Sequence, residues 1–145
     1  MTKEFSSIIE LKSIREQKSR LSERENELSS PELKDLTLIP KIYGWFKEIL
    51  AGRDCPPNPE SVTQRKKFLF IVLFLFTPST LAGGRIPKGV RAALADVLPE
   101  VSPCVISSNI ADILFIYNNY KEFRSDIEEV YEGILNRLRE KGAIK

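Results

Sequence analysis

An unbroken run of nine apolar residues, 68–76 (FLFIVLFLF), constrains this chain more than any other stretch. A helix that crosses a bilayer needs about 20 such residues, so the run is too short to span a membrane and has to be buried within a protein. Continuous apolarity of that length suits either a strand covered on both faces or the buried middle of a helix. No other segment offers a strand to pair with it, and an unpaired strand leaves its backbone amides and carbonyls unsatisfied. The expected element is a helix over residues 60–76, apolar on every side, around which the other segments pack. Thr77-Pro78 ends it.

The other segments also read as helices. Over residues 3–28, Ile14, Leu21 and Leu28 recur every seven residues, and Phe5, Ile8 and Leu11 continue the face upstream. The intervening REQKSRLSEREN is almost wholly polar, so the stripe is narrow. It fits a helix lying along its own domain or a two-stranded coiled coil. Ser30-Pro31-Glu32 has the pattern of a helix start: a capping serine, a proline at the first helical position and an acid near the positive end of the dipole. Pro40 divides the next stretch into a short helix over 31–38 and a second over 40–50. The second buries Ile42, Phe46, Ile49 and Leu50, with Trp45 on or beside that face, and stops at Gly52.

Residues 54–59 (DCPPNP) form a stiff connector between an N-terminal part, 1–53, and a helical core, 60–145. Beyond the glycine-containing loop LAGGRIPKG, read as a flexible hinge, a short helix over 90–98 places Val90, Leu94 and Leu98 on one face. Ser102-Pro103 starts the next helix, which runs to about residue 118 with Ile106, Ile110, Ile113, Leu114 and Tyr117 facing inward. The last, over 120–141, buries Phe123, Ile127, Val130, Tyr131, Ile134 and Leu138 and is closed by Gly142. The expected fold class is all-α: a helical bundle around a buried central helix, with a long N-terminal helix and a helix-turn-helix-like corner.

Composition argues against catalysis. The chain has no histidine, and its two cysteines, Cys55 and Cys104, are far apart and make no zinc-ligand pattern. GGRIPKG lacks the spacer and the Ser/Thr of a phosphate-binding loop, and no nucleophile elbow is present. No enzymatic activity, cofactor or small-molecule substrate is expected. The opening residues MTKEFSSIIELK are charged and amphipathic instead of a basic tip followed by an apolar run, which predicts a cytoplasmic protein with unpaired thiols and no membrane partner.

The net charge of +2 is unevenly spread. Residues 61–95 contain no acid, yet Arg65, Lys66, Lys67, Arg85, Lys88 and Arg91 lie there. Acids gather instead on the last helix, at Glu122, Asp126, Glu128, Glu129 and Glu132. A basic segment in a nearly neutral chain suits the clamping of phosphates, with Arg85, Lys88 and Arg91 as candidate contacts. It leads into the corner LADVLPEVSPCVISSN. There Leu94-Ala95 is followed by Leu98, Val101, Ser102 and Ile106-Ser107. Ala95 is small where a second helix crosses, Leu98, Val101 and Ile106 fix the crossing, and Ser102 satisfies free amides at the second helix's start. Ser107, Ser108 and Asn109 are left on the outward side of that helix.

Over residues 90–118 the chain resembles the helix-turn-helix regulators found in bacterial, phage and mobile-element proteins. It departs from their pattern in the turn, where Pro99-Glu100 replaces a single glycine. The resemblance implies sequence-specific binding of double-stranded DNA by a transcriptional regulator or accessory factor. Ser107, Ser108 and Asn109 would then approach base edges from a helix capped by Ser102. A homodimer formed through the N-terminal helix would present two such helices. The alternative is a non-catalytic interaction or structural module, an adaptor or oligomerisation protein.

Overall fold

The computed structural model of the chain describes residues 3–99 and 101–144, with side chains from residue 5 onward. The described residues form seven helices and no strand: α1 Lys3–Ser29, α2 Leu38–Ala51, α3 Val62–Phe76, α4 Pro78–Leu81, α5 Lys88–Val97, α6 Pro103–Asn119 and α7 Lys121–Lys141. The all-helical class and the long first helix are as expected. No helix among the described residues is long and apolar enough to cross a membrane. The chain divides into two compact units, Met1–Ser30 and Pro31–Lys145. The boundary thus falls just after α1, and the proline-rich residues 54–59 are a loop inside the second unit. The first unit is α1, whose apolar side chains are all exposed, Phe5, Ile14 and Leu21 among them.

In the second unit α3 is the central element and packs against α2, α4, α6 and α7. Ser61 opens it by accepting a hydrogen bond from the Gln64 amide at 3.3 Å, and Thr77 ends it ahead of Pro78. Phe68 to Leu73, Leu75 and Phe76 are buried, whereas Phe74 alone in the apolar run is exposed. On α2, Ile42, Phe46 and Leu50 are buried and face α3, α5 and α7, with Trp45 and Ile49 half-buried. On α7 the inward row Phe123, Ile127, Val130, Ile134 and Leu138 is as the spacing predicts, and Gly142 closes the helix at φ +82°.

The helix predicted over residues 31–38 does not form. Asp35 Oδ1 accepts hydrogen bonds from both the amide and the hydroxyl of Thr37, at 3.0 and 2.6 Å. The Leu33 amide donates across to the Leu75 carbonyl at 3.0 Å, while its side chain enters the core. An Asx turn and a tertiary bond take the groups that a helix would need, and α2 begins only at Leu38. Pro40 then lies in the first turn of α2, where its missing N–H costs nothing.

One ionic cluster ties this unit together. Asp126 on α7 accepts hydrogen bonds from Arg53, just past α2, and from Lys67 on α3 at 2.6 Å. Burial by itself would raise the Asp126 carboxyl, but the hydrogen bonds and charges of Arg53 and Lys67 outweigh it and hold it below the ordinary aspartate value of 3.8. The folded-state pKa is therefore depressed relative to the unfolded chain. Its stabilising contribution is complete above the unfolded value and is lost as pH falls through the folded one. Urea midpoints measured from about pH 6 down to about pH 2 should fall less steeply for Asp126→Asn than for the parent chain. Parallel curves would separate Asp126 from the acid sensitivity of the fold.

Candidate nucleic-acid interface

The corner is built from α4, the loop after it, α5 and α6. Past α4 the chain turns back sharply. Gly83 has φ +104°, and the Gly84 amide donates to the Ser79 carbonyl at 2.8 Å. The buried Thr80 hydroxyl meets the Thr77 hydroxyl at 2.9 Å and donates to the Arg85 carbonyl at 3.3 Å. Residues 79–85 are therefore a hydrogen-bonded turn that fixes where Arg85 leaves the backbone, not the open hinge read from the sequence. A Cβ at Gly84 would stand 2.8 Å from the Ser79 carbonyl oxygen, a backbone atom that cannot swing away. Gly84→Ala should lower the unfolding free energy by about 1–3 kcal/mol, read as a lower urea midpoint at unchanged slope. An unchanged midpoint would mean the turn adapts freely.

α5 starts at Lys88 behind Pro87 without a side-chain cap and with no acid in its first turn. Its first amides and the positive end of its dipole are left to an anion or to solvent. Arg85, Lys88 and Arg91 line one pocket of about 420 Å³ at this end, together with Ser107 of α6. Ile86 and Ile110 supply its apolar part. The ion pairs among the described residues are Arg24–Glu27, Arg53–Asp126, Lys66–Asp112, Lys67–Asp126 and Arg137–Glu48. Arg85, Lys88 and Arg91 appear in none of them. Lys66 and Lys67, from the same basic segment, are paired with Asp112 and Asp126, and Arg65 is outside these pairs but does not line the pocket, so three of the four cations of the segment that stay outside them gather at the pocket.

Leu94, Leu98, Val101 and Ile106 are buried in the core, Ala95 packs against it, and α5 and α6 contact each other. Glu100, half of the departure in the turn, lies outside the described residues. Ser102 caps α6, its hydroxyl accepting from the Val105 amide at 3.3 Å. Ser107 and Ser108 are exposed, and Ser108 also donates to the Cys104 carbonyl at 3.0 Å.

Asn109 does not share that exposure. It is only 7% exposed, and its amide nitrogen donates to the Val105 carbonyl one turn back, while Oδ1 has no partner. Position 109 lies three residues after Ile106 and four before Ile113, on the inward row of the helix, so it cannot reach a base edge. The outward face of α6 otherwise carries Cys104, Val105, Asp112, Leu114 and Phe115, and Leu114, expected inward, is 37% exposed. Asp112 is held 3.9 Å from Lys66.

Three contributors to this site were not read from the sequence: Thr80, which braces the loop, and Ile86 and Ile110, which floor the pocket. The serines and threonines of TPST were the available sign of a bonded turn. The chain matches no protein-family model, no characterised protein and no solved structure.

Proposed function

We propose that the chain binds double-stranded DNA, in the cytoplasm, as a non-catalytic regulator or accessory factor working through the α5–α6 corner. The observation that carries this reading is the convergence of Arg85, Lys88, Arg91 and Ser107 on one pocket at the uncapped start of α5. Three unpaired cations, a hydroxyl and free helix amides are the donors a phosphodiester accepts. The first turns of α6 adjoin them, so a backbone seated at the pocket would bring Ser107 and Ser108 toward base edges. Exposed Val105 offers an apolar contact for a thymine methyl. Without Asn109, and with no basic side chain on α6, phosphate contacts supply most of the affinity and base discrimination is modest.

Dimerisation through α1 fits the same reading. A helix of 27 residues is about 40 Å long, and its exposed Ile14, Leu21 and Leu28 give a seam for a second copy. Two joined copies would offer two corners to half-sites about one helical turn apart. That seam, with Phe115 and Tyr120 also exposed, equally favours the second reading, a protein-interaction module.

Electrophoretic mobility of a random duplex at low and moderate salt separates the two. Retardation at low salt that weakens as salt rises is expected of the DNA-binding protein. No retardation even at low salt would leave the interaction module.

A further inference from the structure

A second pocket, of about 200 Å³, opens between α3, α6 and α7, away from the basic corner. Four aromatic rings line it. Phe70 of α3 stacks on Tyr117 of α6 with centroids 4.5 Å apart, and Phe74 of α3 meets Tyr131 of α7 edge-on at 5.5 Å. Ile71 and Ile127 complete the apolar wall. The sequence places these groups with one spacing used twice: i, i+1 and i+4 at residues 70, 71 and 74, and again at 127, 128 and 131. The charged member of the second triplet is Glu128. Its carboxylate borders the pocket and accepts a long hydrogen bond, 3.4 Å, from the Tyr117 hydroxyl.

We infer that this pocket binds a small organic cation, an alkylated ammonium held against the four rings with Glu128 as its counter-ion. Ring faces attract cations through their quadrupole, and an alkylated nitrogen carries charge on an apolar surface that an aromatic wall desolvates at little cost. A neutral apolar ligand would leave the Glu128 charge unused beside it, and an anion would be repelled. Arg124 stands over the Tyr117 ring at 5.8 Å but does not line the cavity, and no cationic residue among the described ones does. The local field agrees. Burial raises the Tyr131 hydroxyl and the charges of Glu32 and Glu132 raise it further, against a smaller opposing pull from Arg139. Tyr117 is raised by burial and then by Glu128. The charges that face these rings are thus Glu128 at Tyr117, opposed by Arg124, and Glu32 and Glu132 at Tyr131, opposed by Arg139. A volume near 200 Å³ accommodates one such headgroup and little more. Cation binding at this pocket is independent of DNA binding at the corner.

Titration of the full chain with choline, followed through the methyl resonances of Ile71 and Ile127, tests it. Saturable shifts at millimolar choline are expected, with much weaker ones from its uncharged isostere carrying carbon in place of nitrogen. Glu128→Gln keeps the shape, lies on the surface and should weaken choline roughly three- to fivefold without changing the unfolding midpoint. Phe74→Leu, which keeps an apolar side chain but removes a ring, should also weaken it. Equal binding of the isostere, or unchanged choline affinity in the Glu128 variant, would overturn the assignment and leave a plain apolar cleft suited to a partner's side chain. Silence of both methyls would overturn it outright. Retention on choline-headgroup vesicles without a response to free choline would also overturn it, pointing to a membrane surface.

Discussion

Simultaneous replacement of Arg85, Lys88 and Arg91 by alanine is expected to reduce duplex binding by a few hundredfold at about 0.1 M salt and to make its salt dependence shallower by about 2–3 units of slope. Counterion release sets these magnitudes. Each phosphate neutralised by a cation adds about 0.9 to the slope of log affinity against log salt, which at that concentration is about eightfold in affinity. Arg85 and Lys88 are exposed, Arg91 is half-buried, and none holds an ion pair among the described residues. Their loss should therefore leave the thermal midpoint nearly unchanged. Fold and binding are separated by that difference. Arg137 and Arg53, already paired with Glu48 and Asp126, provide the contrast. Arg137→Ala should leave the salt slope as it is. A triple variant with the parent slope would remove the pocket from the interface, whatever its affinity.

The same three cations show what kind of information the sequence held. Their clustering was legible because acids are absent from residues 61–95, and that is a property of order along the chain. Which of the six basic residues would remain unpaired was not legible. Lys67 reaches Asp126 across 59 positions and Lys66 reaches Asp112 across 46, pairings that only the packing of α3 against α6 and α7 creates. Asn109 is a different kind of miss. Its place on the inward row of α6 follows from the spacing to Ile106 and Ile113, and the polar side chain concealed it. A buried asparagine that bonds its own helix backbone satisfies one of its groups locally, so its polarity did not require an outward position. Residues 31–38 failed for a third reason. Ser30-Pro31-Glu32 is a sound local start signal, but Leu33 has a stronger engagement with Leu75 on the central helix than with its own neighbours. Asp35 and Thr37 close the turn that takes the place of the helix.

Burial along α3 is where the expected energetic effect is largest. Phe68→Ala should cost about 3–5 kcal/mol, whereas Phe74→Ala, six positions on in the same apolar run, should cost about 1 kcal/mol. The sequence does not distinguish the two phenylalanines, since periodicity is silent where every position is apolar. Structure does. Phe68 is fully buried and packs against Tyr43 at 4.8 Å and Phe46 at 5.5 Å between ring centroids, locking α3 to α2. Phe74 is 44% exposed and keeps one ring neighbour, Tyr131. Truncating the first removes transfer free energy and leaves a void in a well-packed layer; truncating the second exposes little that is not already exposed. Hydration moderates the larger loss. The Tyr43 ring lies against Phe68 and its hydroxyl is buried without a partner, so water that entered the vacated space and reached that hydroxyl would return part of the cost. Against a total stability of roughly 5–15 kcal/mol for a domain, the Phe68 variant should unfold at much lower urea, with an unchanged slope if the unfolding stays two-state. Equal losses at the two positions would mean that α3 is not packed asymmetrically against α2, and the placement of the central helix would then be wrong.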